Sequence, residues 1–170
     1  MSEPSSRRPL LFAWLGTFVL AGMLLVALIL PGGPGRALRV AGAVLVFAAL
    51  VLIVPPFAQL RRHGDAPSGA SYMETARVAD RGLYAIVRHP QYLGYMLLAA
   101  GLALRTQNLA MALAGLAAVV LFFIHSQAEE RDCAARFGGR WQRYAAEVPR
   151  FNLPFGLLRA WRRRRSSAGT

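Results

Sequence analysis

Arg88-His89-Pro90-Gln91-Tyr92-Leu93-Gly94 is the stretch from which the rest of the chain can be read. It sets a guanidinium and an imidazole directly before a proline, and the run Tyr92–Leu104 that follows carries no charge. Proline has no N–H and suits a first helical turn, while the residue before it is biased away from helical angles. A helix therefore begins at Pro90, with Arg88 and His89 at its mouth. In an apolar chain, that mouth is a place where a polar ligand can be held at a bilayer surface.

The surroundings are those of an integral membrane protein. Of the 170 residues, 55% are hydrophobic and 16% charged, with a mean hydropathy of +0.37. Soluble domains carry about a quarter charged residues. All 20 basic residues are arginine, a bias that physics does not demand and that fits a GC-rich bacterial genome. The single Cys133 excludes an intrachain disulfide and a cysteine-based zinc site, and no metal site is expected. A net charge of +12 raises the question of nucleic acid. The arginines flank apolar spans, however, and no basic module with interleaved aromatics occurs, so anionic membrane lipids are the expected partner.

Upstream of the opening stretch lie two apolar runs, Leu10–Leu30 and Val40 to about Ala58, separated by the turn Pro31-Gly32-Gly33-Pro34-Gly35. The first is too long for a signal-peptide core and lacks a small-residue cleavage site. The second should kink or stop at Pro55-Pro56. Residues 64–81 read as a polar surface loop. Downstream, Pro90–Leu104 is 15 residues, about 22 Å as a helix, which is short against a hydrocarbon core of about 30 Å. Arg105-Thr106-Gln107-Asn108 turns the chain into a fourth run, Leu109 to about residue 126. Helices three and four then form a hairpin, with Gly94, Gly101 and Gly115 permitting close approach.

The expected fold is thus all-α, a single membrane domain with about four transmembrane helices (10–30, 40–58, 90–104, 109–126). Polar segments 64–90 and 127–155 face the cytosol, followed by a basic interfacial tail, 156–170. Arg36, Arg39 and Arg105 fall on one side and the other 17 arginines on the opposite side. The positive-inside bias then puts both termini in the cytoplasm, and a bacterial inner membrane is the expected location. Phe137, Trp141, Tyr144 and Val148 share a helical face, and Gly138-Gly139 should split that helix in two. Phe155–Trp161 with the arginines 162–165 reads as an interfacial segment.

Two polar clusters are expected at the cytoplasmic ends of helices three and four. One is Arg88, His89, Gln91 and Tyr92; the other is His125, Glu129 and Glu130. His125 and Glu129 are four apart and share a helix face. Carboxylates near bilayer depth are costly unless paired, which makes them functional candidates. The competing structural reading is that Arg88 pairs with Glu129 or Glu130 and only locks the hairpin.

Gly82-Leu83-Tyr84-Ala85-Ile86-Val87-Arg88-His89-Pro90-Gln91-Tyr92-Leu93-Gly94 resembles a signature of isoprenylcysteine carboxyl methyltransferases. Glu129-Glu130, Phe137-Gly138, Trp141, Tyr144 and Val148-Pro149-Arg150-Phe151 resemble their C-terminal signature. The resemblance covers roughly residues 60–155, and its Arg-His-Pro-x-Tyr-x-Gly element is shared with sterol reductases and lipid N-methyltransferases. It implies an S-adenosylmethionine-dependent methyltransferase without a nucleotide-binding sheet. By position, it implies that Ala76, Arg77, Val78, Ala79, Tyr84, His89, Pro90, Gln91, Tyr92 and Glu129 line the cofactor. Glu129 and Glu130 suit its ammonium, Arg88, His89 or Arg77 its carboxylate, and Tyr84, Tyr92 or Trp141 its sulfonium. The expected acceptor is a lipophilic small molecule or a lipidated protein that enters sideways from the bilayer.

One departure bears on the acceptor. Where the eukaryotic enzymes of that family carry a substrate-contacting arginine, this chain has His125. A histidine can bind a carboxylate when charged, or act as a base. With Arg88, His125 and Glu130 are the candidate catalytic residues. Isoprenylcysteine carboxyl methylation, ethanolamine-headgroup N-methylation and an inert membrane scaffold are the three readings carried forward.

Overall fold

The computed structural model describes the backbone of residues 7–63 and 82–167, and within them the side chains of 10–55, 82–163 and 165. Every regular element among these residues is helical. In order they are α1 (Arg7–Ile29), α2 (Arg36–His63), a 3-10 turn (Gly82–Ala85), α3 (Pro90–Thr106), α4 (Leu109–Phe137), α5 (Gly139–Glu147) and α6 (Leu153–Ser167). They fall into two compact units, Met1–Ile53 with Tyr92–Arg131 and Val54–Gln91 with Asp132–Thr170.

In the first unit each helix buries a stripe spaced by threes and fours. On α1 it is Gly16, Leu20, Met23 and Ala27; on α4 it is Met111, Gly115, Ala118, Phe122 and His125. That spacing is the one by which helices pack at shallow crossing angles. At Gly16 the fit is close, since a Cβ there would lie 3.1 Å from the Phe122 ring. The opposite faces are apolar and bare: Phe18 is 69% exposed, Phe47 70% and Leu28 83%. A surface of that kind and extent belongs in hydrocarbon. Among the described residues, Leu10–Ile29, Arg36–Pro55 and Leu109–Phe137 are three helices long and apolar enough to cross a membrane.

The short α3 is different. None of its 17 residues is exposed. At about 25 Å it falls below the hydrocarbon thickness, but it is enclosed by protein and needs no lipid-facing surface. Its closest neighbour is α2, which corrects the expectation that Gly94 and Gly101 serve a hairpin with α4. A Cβ on Gly101 would lie 2.8 Å from the Gly42 carbonyl oxygen, and one on Gly42 would lie 2.6 Å from the Gly101 carbonyl oxygen. One heptad earlier, a Cβ on Gly94 would meet Ile53 at 2.6 Å and the Ala49 carbonyl at 3.1 Å. Only Gly115 faces the hairpin, beside the Ala99 carbonyl and Ala103. Residues seven apart return to the same side of a helix, so Gly94 and Gly101 must share one partner.

Two helices run on past the apolar runs they contain. The prolines at 55 and 56 do not end α2, which continues to His63. They withhold donors from the carbonyls of residues 51 and 52 only, and the turns on either side keep the helix going. The helix that holds the last apolar run continues beyond it: α4 extends 29 residues to Phe137, about 43 Å, so Glu129 and Glu130 stand on the same helix. It ends at Gly138, where φ 53° and ψ −131° lie in a region that only glycine occupies at low cost. The split between α4 and α5 is thus where the Gly-Gly pair predicts it.

At the end of the first unit where α1 meets α2 and α3 meets α4, the two turns are hydrogen-bonded together. Gly33 N–H donates to the Arg105 carbonyl (3.0 Å). The Gln107 side-chain amide donates to the Gly35 carbonyl (2.8 Å) and accepts from Gly35 N–H (2.9 Å). Arg105 donates to the Ala27 carbonyl near the end of α1, and Arg39 to the Gly33 carbonyl, both at 2.8 Å. Carbonyls at a helix end have no partner within the helix, and arginine supplies one together with a favourable charge. Arg39 and Arg105, grouped by the charge count on one side, are thus both used as backbone donors at one end.

Gly101→Ala should destabilise the protein by about 1–3 kcal/mol through overpacking against α2. Gly22→Ala, on α1 with nothing within 4 Å of the added carbon, should be neutral or stabilise by up to about 1 kcal/mol. Unfolding titrations of both variants in detergent micelles check the pair.

Candidate functional site

In the second unit the two stretches singled out in the sequence are bonded to each other. After the 3-10 turn, the N–H groups of Ile86 and Val87 both donate to the Leu83 carbonyl at 3.0 Å. The chain then extends. Arg88 N–H donates to the Pro149 carbonyl (2.9 Å) and His89 N–H to the Arg150 carbonyl (3.4 Å). Beneath this pairing Val87 and Val148 are buried. The His89 ring is buried with its centre 5.9 Å from that of Phe151.

α5 anchors the arrangement. Trp141 is buried, with Tyr144 beside it at 5.4 Å between ring centres. The Tyr144 hydroxyl donates to the Tyr84 carbonyl at 2.8 Å. α6 closes the other side of the same stretch. Asn152 caps it by accepting from Phe155 N–H through Oδ1 (3.1 Å). Gly156 sits so close to the Ile86 carbonyl that no β-carbon could be accommodated.

Pro90 opens α3 as expected, buried in the first turn. Gln91 follows it, and its Nε2 is buried with no hydrogen-bond partner among the described residues. A buried amide donor left unmet costs about 1–3 kcal/mol, which makes this atom a candidate for a ligand contact.

The first unit supplies an aromatic cluster around a histidine. His125 is buried and meets the Tyr92 ring edge-on, with centres 5.2 Å apart. Phe122, one turn back on α4, lies 6.2 Å from Tyr92 and 5.0 Å from Tyr95. Ser126 is fully buried and donates to the Phe123 carbonyl (2.7 Å). Glu129 lies one turn beyond His125 on the same helix face, and its Oε2 is buried. Glu130 beside it is half-buried.

The expected site residues therefore divide. Tyr84, Arg88, His89, Pro90 and Gln91 belong to the second unit, and Tyr92, His125, Glu129 and Glu130 to the first. Ala76, Arg77, Val78 and Ala79 lie outside the described residues. Sequence reasoning missed the Tyr144 hydroxyl and the Phe151 ring as supports of Tyr84 and His89. It also missed Tyr95 and Phe122 as walls around Tyr92. The i,i+3 spacings Tyr92–Tyr95 and Phe122–His125 carry a signal for the second pair, whereas nothing in the sequence says which carbonyl Tyr144 would reach.

No curated protein and no solved structure matches the chain significantly. The family model described as phospholipid methyltransferase matches residues 38–140. That match covers more than half of the chain and takes in Arg88–Gly94, α3 and the Glu129-Glu130 pair on α4. With the enclosed α3 and both polar stretches inside the match, the chain belongs to the phospholipid methyltransferase family, membrane methyltransferases that generally use S-adenosylmethionine.

Proposed function

We propose that this protein transfers the methyl group of S-adenosylmethionine to a lipophilic acceptor that reaches it from within the bilayer. The observation that carries the reading is the pairing of Arg88-His89 with Pro149-Arg150 beside a buried Gln91 amide that is unmet among the described residues. The donor set fits the cofactor: Gln91 and the basic pair Arg88 and His89 suit its carboxylate, and Glu129, with a buried oxygen, suits its ammonium. Tyr84, Pro90 and Tyr92 would complete the lining, and Ala76, Arg77, Val78 and Ala79 are proposed with them from the family resemblance. Tyr144 acts at one remove, by holding the Tyr84 carbonyl.

When bound, S-adenosylmethionine supplies an electrophilic methyl group on a sulfonium. The tasks left to the chain are to orient the acceptor and to exclude water. A carboxylate acceptor, as in isoprenylcysteine O-methylation, needs no base, and Arg88 or a charged His125 can hold it. An ethanolamine headgroup arrives protonated, and an imidazole nitrogen of His125, or Glu130, then accepts the proton. The amine reading gains support from the description of the matching family and from His125, buried under Tyr92 where an arginine would hold a carboxylate. The arginine distribution favours a site facing the cytoplasm of a bacterial cell, with both termini on that side and α3 as a fourth, protein-enclosed span.

Glu129→Gln should weaken S-adenosylmethionine binding by about 10- to 100-fold, the worth of one hydrogen bond to a charged group. Calorimetry on the purified protein measures it; wild-type affinity in the variant removes Glu129 from the cofactor site, and no binding by wild type favours an inert scaffold. Tyr144→Phe should weaken the same binding several-fold while changing stability by about 0.5–1.5 kcal/mol. Radiolabelled S-adenosylmethionine supplied to membranes separates the acceptors: a base-labile methyl ester marks a carboxylate, and label in methylated ethanolamine headgroups marks an amine.

A further inference from the structure

α6 presents two faces of opposite character. Towards its own unit it turns Gly156, seated on the Ile86 carbonyl, and Arg159 and Arg163, which meet the Glu147 carboxylate on α5 at 4.0 Å and 2.5 Å. On the outward side Leu157, Leu158 and Trp161 are exposed, with Phe155 at the edge. Arg162 and Arg165 are exposed among and beyond them, and Arg165 lies over the Trp161 ring at 3.7 Å. α6 contains no acidic residue. Glu147 meets the arginines of the inner face.

We propose that the outer face of α6 docks on the bilayer surface and recognises anionic lipid headgroups. Apolar side chains lead and arginines follow along the helix, so the two properties are separated lengthwise. Leu157, Leu158 and Trp161 enter the boundary between headgroups and acyl chains, and Arg162 and Arg165 stay at phosphate level. An indole with a guanidinium stacked on its face suits that depth, because the ring is apolar while the guanidinium edge still offers N–H donors to phosphate. Among the described residues three helices are long and apolar enough to cross a membrane, so α6 belongs to a chain that is carried by a bilayer. Charge complementarity makes anionic lipid the occupant rather than a second copy of this strongly basic chain. The proposal does not rest on the methyltransferase reading.

Amide hydrogen exchange of the full chain in lipid nanodiscs tests it, comparing phosphatidylcholine alone with phosphatidylcholine containing phosphatidylglycerol. Exchange over residues 157–165 should slow by about tenfold in the anionic discs at low salt. The difference should vanish at several hundred millimolar salt, where the screening length falls to a few ångström. Arg162→Gln with Arg165→Gln should remove most of the effect while exchange in α5, the folding control, stays unchanged. Brominated lipid should quench a fluorescence component that Trp161→Phe removes. Equal protection in both lipids, an effect the double variant retains, or protection that tracks protein copies per disc rather than lipid charge would overturn the proposal.

Discussion

The crossing of α2 and α3 at Gly42 and Gly101 is the contact on which the first unit depends. Each glycine faces the other's carbonyl oxygen at a separation that a methyl group would reduce to 2.6–2.8 Å. In hydrocarbon, helices gain little by hiding apolar surface from one another, because lipid tails are equally apolar. What remains is close van der Waals packing, and that requires small residues where backbones meet. Enclosure follows from this contact. With α2 against one face of α3 and Gly115 of α4 beside another, none of the residues of α3 is left exposed.

Enclosure explains why a helix of 17 residues can serve beside much longer neighbours. A helix that faces lipid must match the bilayer or distort it, but one surrounded by protein has only its own termini to satisfy. At one terminus Gln107 and Arg105 bind the α1–α2 turn. Near the other, Tyr92 and Tyr95 build the aromatic surround of His125 with Phe122. His125 is buried there, with the Tyr92 ring 5.2 Å away between centres.

The second unit solves a different problem. A segment leading into a helix has backbone donors and acceptors of its own to satisfy. Here the Pro149 and Arg150 carbonyls, the Tyr144 hydroxyl and the Gly156 contact all bear on Tyr84–His89. Rigidity of the supporting residues is what allows a site to discriminate, since a shift of about 1 Å in a bound group can cost two orders of magnitude in rate. The residues behind the site are therefore as much part of it as those that would touch the cofactor.

Much of this was legible in the residues. Apolar runs give long helices in a membrane because every backbone group must be satisfied within the segment. Proline after Arg88-His89 starts α3, and Gly138-Gly139 separates α4 from α5, because each fixes the backbone locally. The glycines at 94 and 101 announced a close approach, but not its partner. That was decided by which face of α3 the packing turned towards α2, a choice among neighbours that no local preference records. The same holds for the Tyr144–Tyr84 hydrogen bond, the Gln107 clasp and the pairing of 88–89 with 149–150, which join residues tens of positions apart. Sequence settled what is local, helix by helix and cap by cap. Only the tertiary structure decided the contacts between segments, because they depend on the one arrangement in which the helices of each unit pack at once.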